Sequence, residues 1–360
     1  MEVSSTLNDE LAQEIIDATV ARSTAEALKD ESEGRLLDIK ENMEACKAQL
    51  ESQLAQLEEE LMAEEDVLAE AEEAGHVAAL AYRAAMARIN EKYTDAKSSL
   101  SPPASTPCGA TLRRCFPGAL PSSTLHEAVS EILEAEGLTP ENTLYGQSLC
   151  SDEINNEAGG TGNLMMEHWG VNNEHFPLGG IGGAPYVGKT GFGAFSGHVP
   201  DGGNVIMLFG PHIGISDEGV LGKFLRHGQH KCSTACGAVV GAYKACEAGK
   251  GRESDPNDMQ QVWLEKHIGS SMERINSAEE PMEELMRATF EHIEQEVDTI
   301  VHTKFSAGKL VLIGGIQLNI GKPFADHFLP LSFRVLQTGR AEKDLLPKLV
   351  LEAAAAAARR

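Results

Sequence analysis

The chain has 360 residues, of which 42% are hydrophobic and 24% charged, and it carries a formal net charge of −25. That length suits one large domain or two modest ones. The negative charge argues against nucleic acid and anionic membranes as partners, because both bind clusters of Lys and Arg. No apolar run approaches the ~20 residues of a membrane span. The seven cysteines lie at irregular spacings, which favours a reducing compartment with free or metal-bound thiols.

Residues 1–100 predict an acidic helical arm. The stretch 7–98 contains no proline and is dominated by Ala, Glu, Gln and Leu, which are good helix formers. Four leucines alternate by four and three positions: Leu50, Leu54, Leu57 and Leu61. This spacing is typical of a coiled coil or a long helical hairpin. Neither Lys nor Arg occurs between positions 47 and 83. Two interpretations remain for this acidic stretch, a solvated helix face and an arm that docks a protein partner or oligomerises.

Residues 101–122, SPPASTPCGATLRRCFPGALPS, are rich in Pro, Ser and Gly. This composition predicts a linker. The linker contains Cys108 and Cys115, whose separation is wide for a metal pair without a second pair nearby. We therefore interpret both cysteines as incidental.

Residues 123–360 predict an α/β domain. Helical patterns occur in LHEAVSEILEAEGL, TACGAVVGAYKACEAG, DPNDMQQVWLEKHI and PMEELMRATFEHIEQEVDTIV. Short apolar runs typical of buried strands occur in NVIMLFGP, KLVLIGGIQLNI and FLPLSFRVLQ. Strands that alternate with helices predict βαβ crossovers and a mostly parallel sheet flanked by helices. In such sheets, ligands bind beyond the carboxyl ends of the strands.

The stretch GAPYVGKT, residues 183–190, matches the Walker A pattern of nucleotide-binding loops. A phosphate loop must follow a buried strand and open a helix. The upstream stretch NNEHFPLGGIG has no β-branched run, and the downstream stretch GFGAFSGHVPDGGN has five glycines and a proline. Neither flank fits, so we do not expect a nucleotide site here.

Three segments at predicted element ends carry side chains that bind zinc. SLCSDEINNE contains Cys150 and Asp152, LFGPHIGI contains His212, and HKCSTACGA contains Cys232 and Cys236. A catalytic zinc site uses three protein donors and keeps a fourth position open. Each segment is weak by itself, because a histidine after a strand or a cysteine among small residues is more often a packing residue. The Cys-x₃-Cys pair could also form half of a metal site.

Taken together, these segments resemble a known family. The order of Cys-x-Asp, a strand that ends in His, and Ala-Cys-Gly at the start of a helix resembles β-type carbonic anhydrases. Longer blocks, among them CSDEINNE, FPLGGIGGAPYVGKTGFGAFSGHVPDGGN, FGPHIGISDEGVLGK, RHGQ and ACGAVVGAYKA, resemble the limiting-CO2-inducible B/C family, also called theta-type carbonic anhydrases. The resemblance covers residues of about 125 to 340. It leaves out the N-terminal arm.

The resemblance implies one zinc ion bound by Cys150, His212 and Cys236. It also implies that Asp152 accepts a hydrogen bond from the zinc-bound water while a guanidinium forked onto Asp152 keeps it off the metal. In ordinary β-type enzymes an Arg follows two residues after this Asp, where this chain has Ile154. We expect Arg226 to take that role.

The resemblance also assigns the Gly-rich block to the pocket. Its glycines would let the backbone pass close to the metal. The expected wall of an apolar CO2 entrance is formed by Gly191, Phe192 and Phe195. The family has two histidines where this chain has Gly197 and His198. The candidates that remain for carrying the proton away, each of a type that titrates near neutrality, are His198, His227 and His230.

Two functions follow from the resemblance. The first is zinc-dependent reversible hydration of CO2 to bicarbonate in a carbon-concentrating system. The alternative is a zinc-bearing scaffold of the same fold with little turnover, acting through its acidic arm. We further expect at least a homodimer and, from the relatives, a plastid location. The acidic opening residues MEVSSTLNDELAQE contain neither a signal core nor the composition of a transit peptide.

Overall fold

The computed structural model describes residues 21–23, 101–171, 174–305 and 308–359, with side chains up to residue 353. The chain divides into two compact units, residues 1–80 and 81–360. In the first unit only residues 21–23 are described, and they are helical. The predicted coiled coil therefore lies outside the described residues and stays a prediction. Among the described helices, none is long and apolar enough to cross a membrane.

Ten strands and nine longer helices build the described part of the second unit. The strands are β1 (Leu120–Pro121), β2 (Thr143–Leu149), β3 (Phe176–Pro177), β4 (Asn204–Gly210), β5 (His212–Ile215), β6 (Lys223–Phe224), β7 (Ser233–Thr234), β8 (Leu310–Ile320), β9 (His327–Leu336) and β10 (Lys343–Asp344). The helices are α1 (Pro107–Cys115), α2 (Ser122–Ala135), α3 (Thr161–Trp169), α4 (Gly188–Ser196), α5 (Gly237–Glu247), α6 (Met259–Ser270), α7 (Met272–Ser277), α8 (Pro281–Ile300) and α9 (Leu346–Arg359). Short 3₁₀ turns occupy Pro140–Asn142, Glu153–Asn156 and Ile181–Gly183.

Eight strands form one mixed sheet in the order β1-β9-β8-β4-β2-β3, with β10 paired to β9 and β5 paired to β8. The interior pairs β2–β4, β4–β8 and β5–β8 are parallel. Strands β6 and β7 form a separate antiparallel hairpin. The prediction of a mostly parallel sheet flanked by helices is confirmed.

The two faces of the sheet bury separate cores. Along β4, Val205, Met207 and Phe209 point into one cluster, which also contains residues of α4, α5, α6 and α8. Their neighbours Ile206 and Leu208 point into a second cluster with α2, α3 and α9. Because successive side chains of a strand face opposite sides, a continuously apolar strand needs a helix layer on each face. This explains why the predicted strands lack polar alternation.

Two parts of the predicted organisation are wrong. The third predicted strand, β9, pairs antiparallel with β8 instead of following a helical crossover. Only residues 321–326 connect the two strands, and a parallel connection needs about a dozen residues or more. The strand β2, TLYGQSL, was not predicted because it has no continuous apolar run, although it lies beside β4 in the sheet.

The second error concerns the predicted linker. Residues 107–115 form α1, which begins after Thr106, whose hydroxyl accepts a hydrogen bond from the N–H of Gly109. Proline fits the first turn of a helix because its missing N–H has no intrahelical partner there. The side chains of Cys108, Leu112, Cys115 and Phe116 are buried in the main core. The prolines therefore mark a helix start, and both cysteines are core residues.

Candidate metal centre

The carboxyl ends of β2 and β4 bring two predicted donors to one edge of the sheet. Cys150 follows β2 directly, and His212 opens β5 immediately after β4. The register of the two parallel strands pairs Leu149 with Gly210, so the residues that follow each strand lie side by side. The third donor, Cys236, is the N-cap of α5. The topology therefore supplies three donors from three separate elements.

The donor atoms of Cys150, His212 and Cys236 all lie within 4.8 Å of one another, and all three residues are buried. The two sulfurs are 3.6 Å apart. Among the described residues this is the one group of three or more Cys, His, Asp or Glu residues that could hold a metal ion. Cys232 is not part of the group, so the alternative of a Cys232–Cys236 half-site finds no support in the geometry.

The imidazole of His212 has one paired and one unpaired nitrogen. Its Nδ1 lies 2.8 Å from Oδ1 of Asn319, whereas its buried Nε2 has no hydrogen-bond partner. A buried nitrogen without a partner is costly unless something binds it. The residues present therefore fit a metal ion that would bind Nε2 and both sulfurs. Thiolate with imidazole is a donor set that zinc accepts.

The two thiols differ in acidity. The hydrogen bond that they share raises the pKa of Cys150, and burial raises it further. The same hydrogen bond lowers the pKa of Cys236 against the effect of burial, and the backbone N–H groups of Val239 and Ala238 at the start of α5 add to this lowering. The backbone N–H groups at the start of α5 thus favour the thiolate form of Cys236.

A Gly-rich loop crosses directly over Cys150. The N–H of Gly182 donates to Sγ of Cys150 at 3.2 Å. Gly182 and Gly183 have φ of 71° and 86°, and a Cβ on Gly183 would lie 2.2 Å from the carbonyl oxygen of Gly210. Only glycine permits this backbone conformation at so close an approach. Gly182 and Gly183 thus let the loop pass close to Cys150 and to the end of β4.

The same block corrects one sequence prediction. Residues 188–196 form α4, although the glycines there predict no helix. No buried strand leads into the loop, however, because the preceding β3 has two residues and is followed by the 3₁₀ turn Ile181–Gly183. Lys189 and Thr190 are exposed. The missing buried strand, and not the lack of a following helix, therefore argues against a nucleotide loop.

Asp152 lies beside the donor group. Its Oδ2 is 3.6 Å from Nε2 of His212 and 2.7 Å from Nη2 of Arg226. Its Oδ1 is buried and has no hydrogen-bond partner. Burial by itself raises the pKa of Asp152, but the charge of His212 and the hydrogen bond and charge of Arg226 lower it below its ordinary value overall. The carboxylate is thus held ionised, with one oxygen free to accept a hydrogen bond.

Arg226 differs from the predicted fork. Only its Nη2 reaches Asp152, while its Nε donates to the exposed Glu153 at 2.8 Å. Its Nη1 donates to Ser233 Oγ and to the carbonyl of Thr234. The guanidinium is therefore anchored to β7 and offers Asp152 a single hydrogen bond.

The residue Ile154, which stands where β-type enzymes have their Arg, has a packing role. It is buried in a small cluster with Phe224 and Ala235 of the β6–β7 hairpin. This cluster fixes the hairpin, and with it Arg226, against the segment that carries Asp152. A guanidinium from a different element thus takes the place of the one that is missing.

The structure does not bring the remaining predicted residues to the donor group. Phe192 and Phe195 are fully buried in the core, where Phe195 packs on Phe176 and Phe192 packs on His302. Gly191 lies between them on α4, and a Cβ there would meet Val187. None of these contacts is with a donor, so a CO2 entrance at this place stays a prediction. The predicted proton carriers are surface residues: His198, His227 and His230.

Three site residues were missed in the sequence, Asn155, Asn319 and Asp326. Asn155 donates from Nδ2 to the carbonyl of Cys150 at 3.1 Å. Asn319 contacts His212, and Asp326 contacts Asn319. The sequence contains one signal for Asn319. The apolar run KLVLIGGIQLNI is interrupted near its end by two polar residues, Gln317 and Asn319. Polar side chains in such a strand need partners, and the metal site supplies one.

The fold and the donor group define a carbonic-anhydrase-like α/β domain with a buried Cys-His-Cys site that could hold a metal. A family model described as limiting CO2-inducible proteins B/C beta carbonic anhydrases matches residues 119–337. The chain belongs to this family. No curated protein matches the chain significantly.

Solved structures agree with this family. A histidine-to-alanine variant of PtLCIB4, a homologue of the limiting CO2-inducible protein LCIB, is 30% identical over 67% of this chain and 99% of its own, with a TM-score of 0.62. PtLCIB4 itself is 31% identical over 65% of this chain and 98% of its own, with a TM-score of 0.60. LCIB is 19% identical over 65% of this chain and 97% of its own, with a TM-score of 0.51, and shows likeness of fold alone.

Proposed function

We propose that this protein catalyses the zinc-dependent, reversible hydration of CO2 to bicarbonate. The observation that carries the proposal is the buried Cys-His-Cys group with an ionised carboxylate, Asp152, held next to it by Arg226. Zinc, when bound by such donors, lowers the pKa of a coordinated water toward ~7 and so makes hydroxide available at neutral pH.

The residues of the chain divide the remaining work. Cys150 and Cys236 supply two negative charges and His212 a neutral donor, so the site is formally neutral. Asp152 is placed to accept a proton or a hydrogen bond through its unpartnered Oδ1, which orients an attacking water molecule. Arg226 holds the other oxygen of Asp152 and favours its ionised form. The water molecule would thus be oriented by two charged side chains, Asp152 and Arg226, that are mostly buried.

The proposal is tested on zinc-loaded protein by following CO2 hydration with a pH indicator in a stopped-flow instrument. We expect turnover well above the buffer rate in the parent and none above it in Cys236→Ala, which should also lose bound zinc. Cys232→Ala is the matched control and should keep full zinc occupancy. Turnover by metal-free protein, or full zinc occupancy in Cys236→Ala, would contradict the proposal.

The same measurement distinguishes catalysis from the alternative function, a zinc-bearing scaffold with little turnover. A parent protein that binds one zinc ion per chain and yet shows no hydration would support a zinc-bearing scaffold. The single hydrogen bond between Arg226 and Asp152, in place of a fork, is the observation that favours this alternative. In that case the acidic N-terminal arm would be the functional surface, and a protein partner would bind there.

We further propose a role in a carbon-concentrating system in the plastid, which rests on the family resemblance alone. A fluorescent fusion of the full-length gene product, imaged in the source cell, tests the location. Fluorescence that is excluded from plastids would contradict it.

A further inference from the structure

The interior of the sheet contains a chain of polar side chains that leads away from His212. Nδ1 of His212 lies 2.8 Å from Oδ1 of Asn319, and the amide nitrogen of Asn319 lies 3.1 Å from Oδ2 of Asp326. His212 is 1% exposed and Asn319 is 0% exposed. This chain of contacts ends on a carboxylate that plays no part in the proposed reaction.

The surroundings decide which way the amide of Asn319 points. Its Nδ2 faces three oxygens, those of Asp326 Oδ2, Asn155 Oδ1 and the Ile154 carbonyl, at 3.1 to 3.4 Å. An ionised carboxylate and a backbone carbonyl accept hydrogen bonds and cannot donate. The amide group must therefore place its NH₂ on that side, and its oxygen must face His212.

The orientation of Asp326 is itself fixed. Its Oδ1 accepts the backbone N–H of Ile320 at 2.9 Å, and its Oδ2 accepts Nε2 of Gln317 at 3.3 Å. The backbone N–H of Ile320 cannot be turned around. Any side chain at position 326 must therefore present an oxygen to Ile320.

We propose that Asp326 acts, through Asn319, as a positioning residue that sets the tautomer of His212. The oxygen of Asn319 facing Nδ1 requires a proton on Nδ1, and this leaves the lone pair of Nε2 for a metal ion. Reversal of the Asn319 amide would place a donor against Nδ1 and move the ring proton to Nε2, where it would block coordination. The inference rests on the metal site of the proposed function and not on catalysis.

Asp326→Asn tests the chain of contacts at its far end. Because Ile320 requires an oxygen, the new amide would turn its NH₂ toward the NH₂ of Asn319. This favours reversal of the Asn319 amide, which only the longer contacts with Asn155 Oδ1 and the Ile154 carbonyl, at 3.3 and 3.4 Å, oppose. We expect the neutral imidazole of His212 to acquire a population protonated on Nε2. We also expect zinc affinity to fall ~10- to 100-fold, as is typical when the partner of a histidine ligand is lost.

The exchange variant, Asn319→Asp combined with Asp326→Asn, is the sharper test. The amide at 326 would donate to the carboxylate at 319, and that carboxylate would accept from Nδ1 of His212. The two side chains keep their combined charge and nearly their combined volume. We expect the exchange to restore the proton to Nδ1, a result that a merely structural role for Asp326 does not predict.

The tautomer is measured in metal-free protein by long-range ¹H–¹⁵N correlation of histidine-labelled samples, at a pH where the ¹⁵N shifts show a neutral ring. His212→Gln assigns the resonance. Zinc affinity is measured by competition with a chromophoric chelator. Asp201→Asn, an exposed acid-to-amide change, is the control and should leave the tautomer and the affinity unchanged.

Several results would overturn the inference. One is an Nε2-protonated ring in the metal-free parent. Another is Asp326→Asn with an unaltered tautomer and parental zinc affinity. If Asp326→Asn does not fold, the exchange variant decides, because an Nε2-protonated ring in that folded protein contradicts the inference. Failure of the parent to bind zinc would instead refute the proposed function and leave the tautomer result to stand by itself.

Discussion

Among the residues of the candidate site, the position of Asp152 matters most for the proposed CO2 hydration. It follows Cys150 by two positions along the chain, and its carboxylate lies 3.6 Å from the free nitrogen of His212. One of its oxygens is bound by Arg226 and the other has no partner. A carboxylate in this setting can orient a water molecule or become a ligand itself, and we propose that Arg226 favours the first role by holding one oxygen.

Asp152→Asn should keep the fold and the bound zinc and lose most of the CO2 hydration. The amide preserves the shape of the carboxylate but removes its capacity to accept a proton, and loss of positioned acid–base help costs ~10²- to 10⁴-fold in rate. The rate is measured by stopped flow and the zinc content by elemental analysis. Turnover equal to that of the parent would show that Asp152 is not a catalytic residue.

Arg226→Ala should lose activity for a different reason. Without the guanidinium, Asp152 is free to rotate toward the donor group and become a fourth protein ligand. A crystal structure of the zinc-loaded variant should show this carboxylate bound to the metal. Lys231→Ala, in the exposed loop of the same hairpin, is the control and should keep parental activity. An Arg226→Ala variant with full activity and an unbound Asp152 would contradict the assigned role.

Asp326 should make the free energy of unfolding depend on pH. Burial raises the pKa of this carboxyl from 3.8 to about 6, and the charge of Glu157 adds to the effect, while hydrogen bonds from Ile320, Asn319 and Gln317 oppose it. The folded state thus binds more protons than the unfolded state between about pH 4 and pH 6, and stability falls as pH rises through that window. The full penalty is about 3 kcal/mol.

The measurement compares Asp326→Asn with its parent by urea unfolding from pH 4 to pH 7. The stability of the variant relative to the parent should rise by up to about 3 kcal/mol across this range, whatever constant offset the lost hydrogen bonds cause. Asp201→Asn should show no such trend. A constant difference between variant and parent at every pH would contradict the raised pKa.

Helix α1 shows how an element can be misread from its composition. Prolines, serines and glycines flank it, yet its inner face buries Leu112 and Cys115 in the main core, and Phe116 follows in the same cluster. The hydroxyl of Thr111 donates to the carbonyl of Gly219, which ties the helix to the loop after β5. The helix therefore belongs to the domain that carries the metal site.

Phe116→Ala should destabilise the domain by about 3–5 kcal/mol, because the fully buried ring leaves a cavity. Urea unfolding measures the change. Arg114→Ala removes an exposed side chain of the same helix that pairs with Glu280, and it should cost less than about 1 kcal/mol. Equal stabilities of Phe116→Ala and the parent would restore the linker interpretation.

At the scale of the whole chain, we propose that the domain with the candidate metal site begins before α1. We expect a protein that begins at residue 101 to fold, to bind zinc and to form a homodimer, because the described helices and strands that pack around the site lie after that residue. A protein that begins at residue 117 should not fold, since it lacks α1 and Phe116. Circular dichroism, zinc analysis and light scattering test these expectations.

The protein that begins at residue 101 also tests the function of the N-terminal arm, residues 1–100. A folded monomer from residue 101 would show that residues 1–100 hold the subunits together. A dimer would leave the acidic arm available for another protein. Because the net charge of the chain is −25, such a partner would present a basic surface, and its binding would weaken as salt is added.

The sequence by itself determined the sheet-forming runs, the main helices, the three residues of the candidate metal site and the family. Apolar strands such as β4 and β8, the period of α2 and α8, and the order of Cys150, His212 and Cys236 are local features, and local propensity together with burial is enough to predict them. Tertiary structure alone decided the rest. The antiparallel return of β9, the helix at residues 107–115 and the packing of Ile154 against Phe224 depend on contacts between residues far apart in sequence. So does the chain from Asp326 through Asn319 to His212, because an amide or a carboxylate acquires its orientation from whichever acceptors and donors the fold places around it.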